Sequence, residues 1–187
     1  MTNIGSYVVP VTTVTKIPTK AILEPAQKKD MPVSGEWEFA WQELWDKTDF
    51  ENQDIVKITY DGILSGLIRF AVYSTEDGIP YLLEVLHLEC LPQNKRSIEP
   101  LGRWLLWYVV QIGLTLSTVA ENDPLIQLDS VEDAIEYYRD VVKMEPLGWV
   151  TIAPGEDGYA FQFTRKCAKV FCQTQTNCYG YPTKIKS

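Results

Sequence analysis

Between Tyr81 and Lys143 the chain sets out, in order, an apolar strand, a charged loop, a long apolar helix, a short strand and a helix carrying paired tyrosines. That order restricts the fold sharply. A strand that leads through a helix into a second strand of the same sheet gives a parallel pair joined by a right-handed crossover. The first strand is YLLEVLHLECLP, residues 81–92, and the loop after it is QNKRSIEP. The helix LGRWLLWYVVQIGLTLS is expected from about residue 99 to 117, the second strand over 125–128, and the tyrosine helix in VEDAIEYYRDVVKM.

The flanking segments read as additions to that unit. Residues 1–34 carry prolines at 10, 18, 25 and 32, which suits an extended N-terminal arm lying on the domain. In GEWEFAWQELWDKT, Trp37, Ala40, Trp41, Leu44 and Trp45 recur at three and four, which predicts an amphipathic helix with an aromatic core face. Asp61-Gly62 and Asp77-Gly78 are turn signals that divide a meander of strands at 55–60, 63–73 and 81–90. A hairpin follows at 148–153 and 158–164, and residues 166–187 read as a further strand or a tail. The expectation is one α+β (α/β) domain over 35–165, with a mixed, largely antiparallel sheet of about six to seven strands and helices on both faces.

Composition removes several classes of function. The formal charge is −8 in 187 residues, which argues against binding nucleic acid. The longest apolar stretch, Trp104 to Leu116, is too short for a membrane span and contains Gln111 and Gly113. No address segment is legible at the start, so the expected location is cytoplasmic. Cys90, Cys167, Cys172 and Cys178 are too scattered for a zinc site and only one histidine is present, so no metal is expected. Free thiols are the expectation for such a compartment, with a Cys172–Cys178 bridge as the alternative. Neither G-x-S-x-G nor a phosphate-binding G-x-x-x-x-G-K-[ST] occurs.

Three motifs along the 81–143 unit resemble those of the GNAT superfamily of acetyltransferases. Cys90-Leu91-Pro92 stands where the family has V-x-P, and Leu101-Gly102-Arg103-Trp104-Leu105-Leu106 is similar to I-G-R-x-L-L. Ala134-Ile135-Glu136-Tyr137-Tyr138 fits A-x-x-F-Y. The resemblance spans roughly residues 36 to 165 and is partial. Pro100 and Ile98 replace loop glycines, Ser97 holds the Q/R position with Arg96 one step away, Val142 is one residue extra, and Lys143-Met144 replaces G-F. Glycines serve in such a loop because bare backbone can offer N–H groups to a pyrophosphate at a helix N-terminus, and proline has none to offer.

The resemblance implies an N-acyltransferase that uses acetyl-CoA, or another acyl-CoA, as cosubstrate. It implies a splay between the strands ending near Cys90 and beginning near Leu125, where unpaired backbone at Leu88 and Cys90 holds the pantetheine arm. Arg96, Ser97, Leu101, Gly102 and Arg103 would meet the pyrophosphate, and Tyr138 would be the general acid for the leaving thiolate. The acceptor would be a small-molecule or peptide amine, and a homodimer is compatible with the fold.

Two side chains on the central strand are candidates for acid–base work. His87 and Glu89 lie two apart, so both point to one face while Leu86, Leu88 and Cys90 point to the other. Either can take a proton from an ammonium nucleophile, and Glu89 is nearer the strand end. The plainer alternatives are a boundary histidine, a surface carboxylate or partner of Arg103, and two helix aromatics at Tyr137 and Tyr138. At the level of the whole protein, the eroded loop leaves open a non-catalytic binding or regulatory module of the same fold.

Overall fold

The computed structural model describes residues 3–33 and 35–186; Met1, Thr2, Ser34 and Ser187, at the edges of the expected arm and tail, lie outside them. Among the described residues the backbone forms a ten-stranded sheet in the order β10-β1-β2-β3-β4-β5-β7-β9-β8, where β10 is Thr183–Lys184 and the two-residue β6 (Ile98–Glu99) is paired to β1. Every pairing is antiparallel except β5 with β7. The expected meander is present as β3 (Gln53–Tyr60), β4 (Ile63–Ser74) and β5 (Pro80–Cys90), and β7 (Pro124–Val131) follows the crossover. Asp61 and Gly62 both take positive φ, 49° and 76°, as the tight β3–β4 turn requires.

The sheet exceeds the expected size because its N-terminal segment joins it. β1 (Tyr7–Thr13) and β2 (Pro18–Pro25) form a hairpin, and β2 pairs with β3. Two of the prolines bound β2, where a missing N–H costs no ladder bond. Pro10 lies within β1, and its carbonyl accepts a hydrogen bond from Trp104 Nε1 at 2.7 Å. β8 (Glu145–Ala153) and β9 (Glu156–Thr164) make the expected hairpin at the far edge.

α2 (Gly102–Leu114) crosses one face of the sheet over the main core, with Trp104, Leu105, Tyr108 and Val109 fully buried. The Trp37–Trp45 stripe is helical only over α1 (Trp41–Asp46), on the opposite face, where Trp41 packs with Met31, Ile55 and Leu67. The residues before α1 are held by a strand carboxylate instead of by helical bonds, as shown below.

The C-terminal segment, expected as a strand or tail, is mainly a helix followed by the two-residue strand β10. α3 (Arg165–Tyr179) starts where Thr164 Oγ1 accepts the Cys167 N–H, and it buries Ala168, Phe171, Cys172 and Gln175 along one stripe. All four cysteines are free. Cys172 and Cys178 are separated by roughly 9 Å of helical rise, too far for a disulfide.

Candidate functional site

Strand β5 changes its pairing halfway along. Leu83, Glu84 and Val85 pair with Ile126, Gln127 and Leu128 of β7, and there the parallel ladder ends. On the β4 side, Arg69 faces His87 while Phe70 faces Val85, so Leu86 is an extra residue, a β-bulge. The bulge reverses the alternation. Leu83 and Val85 face the α2 core before it, and Leu88 and Cys90 pack against the same core after it. From His87 to Cys90 the edge of β5 turned towards β7 has no strand partner, so backbone donors and acceptors are left open to a ligand.

A cleft of about 700 Å³ opens at this splay. Leu88, Glu89 and Cys90 form one wall, Leu101, Gly102 and Arg103 at the start of α2 form its end, and Tyr137 and Tyr138 close the other side. The amides of a helix's first turn have no carbonyl of their own helix to bond. Those of Gly102 and Arg103 occupy that position in α2. A Cβ at Gly102 would lie 2.8 Å from Tyr137 Oη, so any larger residue there needs that hydroxyl to shift.

The loop ahead of α2 is rebuilt rather than glycine-rich. Ile98 and Glu99 pair with Thr13 and Thr12 of β1, and a cis peptide joins Glu99 to Pro100. Arg96 lines the cleft and donates from Nε to the Leu91 carbonyl. Arg103 is braced through Nε to Gln175 Oε1 at 2.8 Å and through Nη1 to the Val141 carbonyl at 2.9 Å. Lys16, another lining cation, is 3.5 Å from Glu99.

The extra residue in the tyrosine motif becomes a π-helix, Tyr137–Val142. It ends with Lys143 in the left-handed region at φ 66°, and the Lys143 and Met144 N–H groups both donate to the Tyr138 carbonyl. Lys143 therefore occupies a backbone position that favours glycine, and Met144 is buried as an apolar partner would be. Tyr138 is 7% exposed and packs against Phe161. Neither tyrosine hydroxyl is among the buried polar atoms lacking a partner, and both residues line the cleft. Burial, with Tyr138 and Cys90 nearby, raises the Tyr137 phenol; burial and Cys90 raise that of Tyr138. Burial pushes the Cys90 thiol up to about 12, so it stays protonated.

Glu89 lines the cleft, but its oxygens are engaged. Oε1 accepts from the Glu38 amide at 2.6 Å, and Oε2 accepts from the Phe39 amide at 3.2 Å and Trp41 Nε1 at 2.7 Å. The carboxylate thus fastens residues 38–41 to the sheet. It makes no hydrogen bond or ion pair with Arg103.

The structure does not bring His87 or Ser97 to the cleft. His87 shares a face with Glu89, as the alternation implied, but Phe39 covers it edge-on at 4.9 Å and Trp41 at 6.2 Å. Burial, with Arg69 opposite, lowers its pKa. Ser97 is exposed, and its carbonyl accepts the Val14 N–H because β6 has joined β1.

Tyr137, Tyr179 and Glu38 line the cleft without having been singled out as site residues. Tyr179 was legible only through the 168-171-172-175-179 spacing of α3, and Glu38 had no signal. Among the described residues no group of three or more metal-ligating side chains comes together, and no helix is long and apolar enough to cross a membrane.

No protein-family model matches the chain, and no curated protein matches it in sequence. Solved structures match it in fold. An uncharacterized protein from Bacillus halodurans aligns over 96% of this chain and 100% of its own, with TM-score 0.65 and 11% identity. The aminoglycoside acetyltransferase AAC(6')-Ib, solved with coenzyme A and kanamycin, aligns over 80% and 98%, with TM-score 0.57 and 17% identity. Arabidopsis thaliana Naa50, solved with a bisubstrate analogue of CoA and a peptide, aligns over 77% and 98%, with TM-score 0.56 and 16% identity. With its bulged central strand, its splay and its crossover helix, the chain has the fold of the GNAT acetyltransferases.

Proposed function

We propose that this chain is an acyl-CoA-dependent N-acyltransferase, with acetyl-CoA as the simplest donor and an amine as acceptor. The carrying observation is the open splay between β5 and β7, bounded by the first turn of α2 and by two tyrosines. An extended pantetheine arm fits such an edge as a pseudo-strand, with its pyrophosphate on the Gly102 and Arg103 amides beside Arg96. Proline at position 100 removes one amide from the loop, and the cations Arg96 and Arg103 compensate for it. The cleft is not filled by Trp104, which is buried away from it, and this favours the catalytic reading over the non-catalytic one.

In this reading the acceptor enters on the side lined by Glu36, Glu38 and Glu89; Glu36 is paired with Lys95 and Glu89 holds the 38–41 segment, which leaves Glu38 to attract an approaching ammonium. Once water has taken one proton from the ammonium, the neutral amine attacks the thioester carbonyl, whose oxygen is polarised by a backbone N–H near Cys90. The C–N bond forms, the C–S bond breaks, and Tyr138 donates a hydrogen bond to the departing thiolate. A phenol raised by burial keeps its proton throughout the neutral range. The proton shed by the acylated nitrogen restores the thiol. Glu89 acts as a positioning residue for the 38–41 wall, and the protonated Cys90 makes an acyl-enzyme step unnecessary.

Calorimetric titration with acetyl-CoA and CoA tests the cofactor reading, followed by release of free thiol over a panel of amines. Micromolar binding with amine-dependent thiol release is expected. Tyr138→Phe should lower kcat by roughly 10²-fold while leaving the CoA affinity within about twofold. Absence of binding at millimolar ligand would refute the assignment, and unchanged turnover in Tyr138→Phe would remove that residue from it.

A further inference from the structure

The sheet ends at β8 with one side open. Among the described residues β8 pairs only with β9, so its outer edge carries backbone N–H and C=O groups that no strand meets. Bulges at Leu147 and Ile152 bound its regular run at Gly148–Thr151. Edge strands are commonly guarded by charge. Here residues 146–155 carry none, in a chain of net charge −8, and Glu145 Oε2 accepts a hydrogen bond from Gln162 of the neighbouring strand at 3.0 Å. Trp149 is 66% exposed and Leu147 50%. The indole is nevertheless held, because it meets Tyr159 edge-on at 5.2 Å and Tyr159 meets Phe161 at 5.3 Å. An exposed tryptophan already fixed by its neighbours loses little side-chain entropy when a partner covers it.

Whatever covers this edge must be uncharged along the strand and must suit the charges at its two ends. Lys143 precedes β8, and Glu156 and Asp157 follow it across the turn into β9. All three are exposed, and none takes part in an ion pair among the described residues. We propose that this edge is an interface with a second copy of the chain, the two β8 strands pairing antiparallel about a two-fold axis at Trp149. That pairing sets the two indoles across the axis from each other and carries each Lys143 towards the Glu156–Asp157 turn of the partner subunit. The charges at the strand ends are thereby complementary, and the uncharged strip lets two acidic chains approach where they repel least. A strand that pairs with itself closes the assembly at two copies. Head-to-tail growth has no template, because the opposite edge of the sheet, β10, offers two residues against the nine of β8. The regular run is short, so the indoles and the end charges carry much of the contact. Trp149 lies outside the cleft, and the interface does not depend on what the cleft binds.

The test is sedimentation velocity over about a hundredfold range of protein concentration, on wild type, Trp149→Glu, Lys143→Glu and the charge-swapped Lys143→Glu/Glu156→Lys/Asp157→Lys variant. Each replaced side chain is exposed, and far-UV circular dichroism checks that the variants fold. Wild type should pass from monomer to a limiting mass of two copies. Trp149→Glu, which sets two carboxylates against each other across the axis, should weaken dimerisation by more than about tenfold. Lys143→Glu should weaken it by about five- to tenfold, and the charge swap should restore it to within about threefold of wild type. A chain that stays monomeric throughout, or a mass that climbs beyond two copies, overturns the proposal. So does a dimer indifferent to Trp149→Glu, or a charge swap that dimerises no better than Lys143→Glu alone.

Discussion

Gly102 offers a direct test of how the mouth of the cleft is built, because adding one methyl group there sets two effects of opposite sign against each other. Alanine in place of glycine favours a helix by up to ~1 kcal/mol, less in a first turn. The new Cβ would stand 2.8 Å from Tyr137 Oη, closer than real Cβ contacts come, whereas the ring carbon Cζ and Leu88 Cδ2 are each at an ordinary 3.6 Å. The clash therefore belongs to a single hydroxyl oxygen. Tyr137 packs against Tyr138 at 5.2 Å between ring centroids, so displacing it should cost ~1–3 kcal/mol, as overpacking generally does. With a first-turn helix gain of ~0.5 kcal/mol set against that cost, Gly102→Ala alone is expected to lower the melting temperature by roughly 1–10 °C at ~2–4 °C per kcal/mol for a chain of this length. In a Tyr137→Phe background the oxygen is gone, and the same substitution should be neutral or stabilising. The assay is a double-mutant cycle by thermal or urea unfolding, with CoA titration on each variant. Additivity within ~0.5 kcal/mol would refute the contact, and with it the account of why glycine stands at this position.

Lys143→Gly removes the penalty of a left-handed φ of 66°, and should raise stability by ~1 kcal/mol, read as a shift in the urea midpoint at constant slope. Glu89→Gln converts an acceptor of three N–H bonds into a neutral amide with one acceptor oxygen. It should cost ~2 kcal/mol and speed amide exchange at residues 38–41, and unchanged exchange would contradict the positioning role. His87 is the only histidine, and its folded pKa is lowered by burial and by Arg69. The unfolded chain therefore binds the extra proton first: the stability from neutral His87 is fully present above about pH 6.5 and is lost as pH falls towards the lowered folded value. His87→Gln should flatten urea-unfolding stability over that window, and an unaltered slope would place the titration elsewhere.

Local chemistry alone determined a good part of this protein. The meander and its Asp61-Gly62 turn, the apolar helix and the β-α-β step follow from periodicity and turn residues that act over a few positions. The motifs around Cys90, Gly102 and Tyr138 all fall on the cleft. Even the extra residue at Val142 was visible, although only the structure shows it absorbed as a π-helix that puts Lys143 where glycine is usual. What the sequence left undecided depended on partners far along the chain. The proline-bearing N-terminal segment became two strands because β3 and β6 offered backbone to pair with, and the Ser97 side of the loop turned away from the cleft as a result. His87 and Glu89 share a strand face as the alternation required, yet one is covered by Phe39 and the other is engaged with the 38–41 segment, contacts some fifty residues away. The bulge at Leu86 and the end of the β5–β7 ladder carry no side-chain code, because a splay is made of backbone groups left unpaired and only neighbouring strands decide which those are.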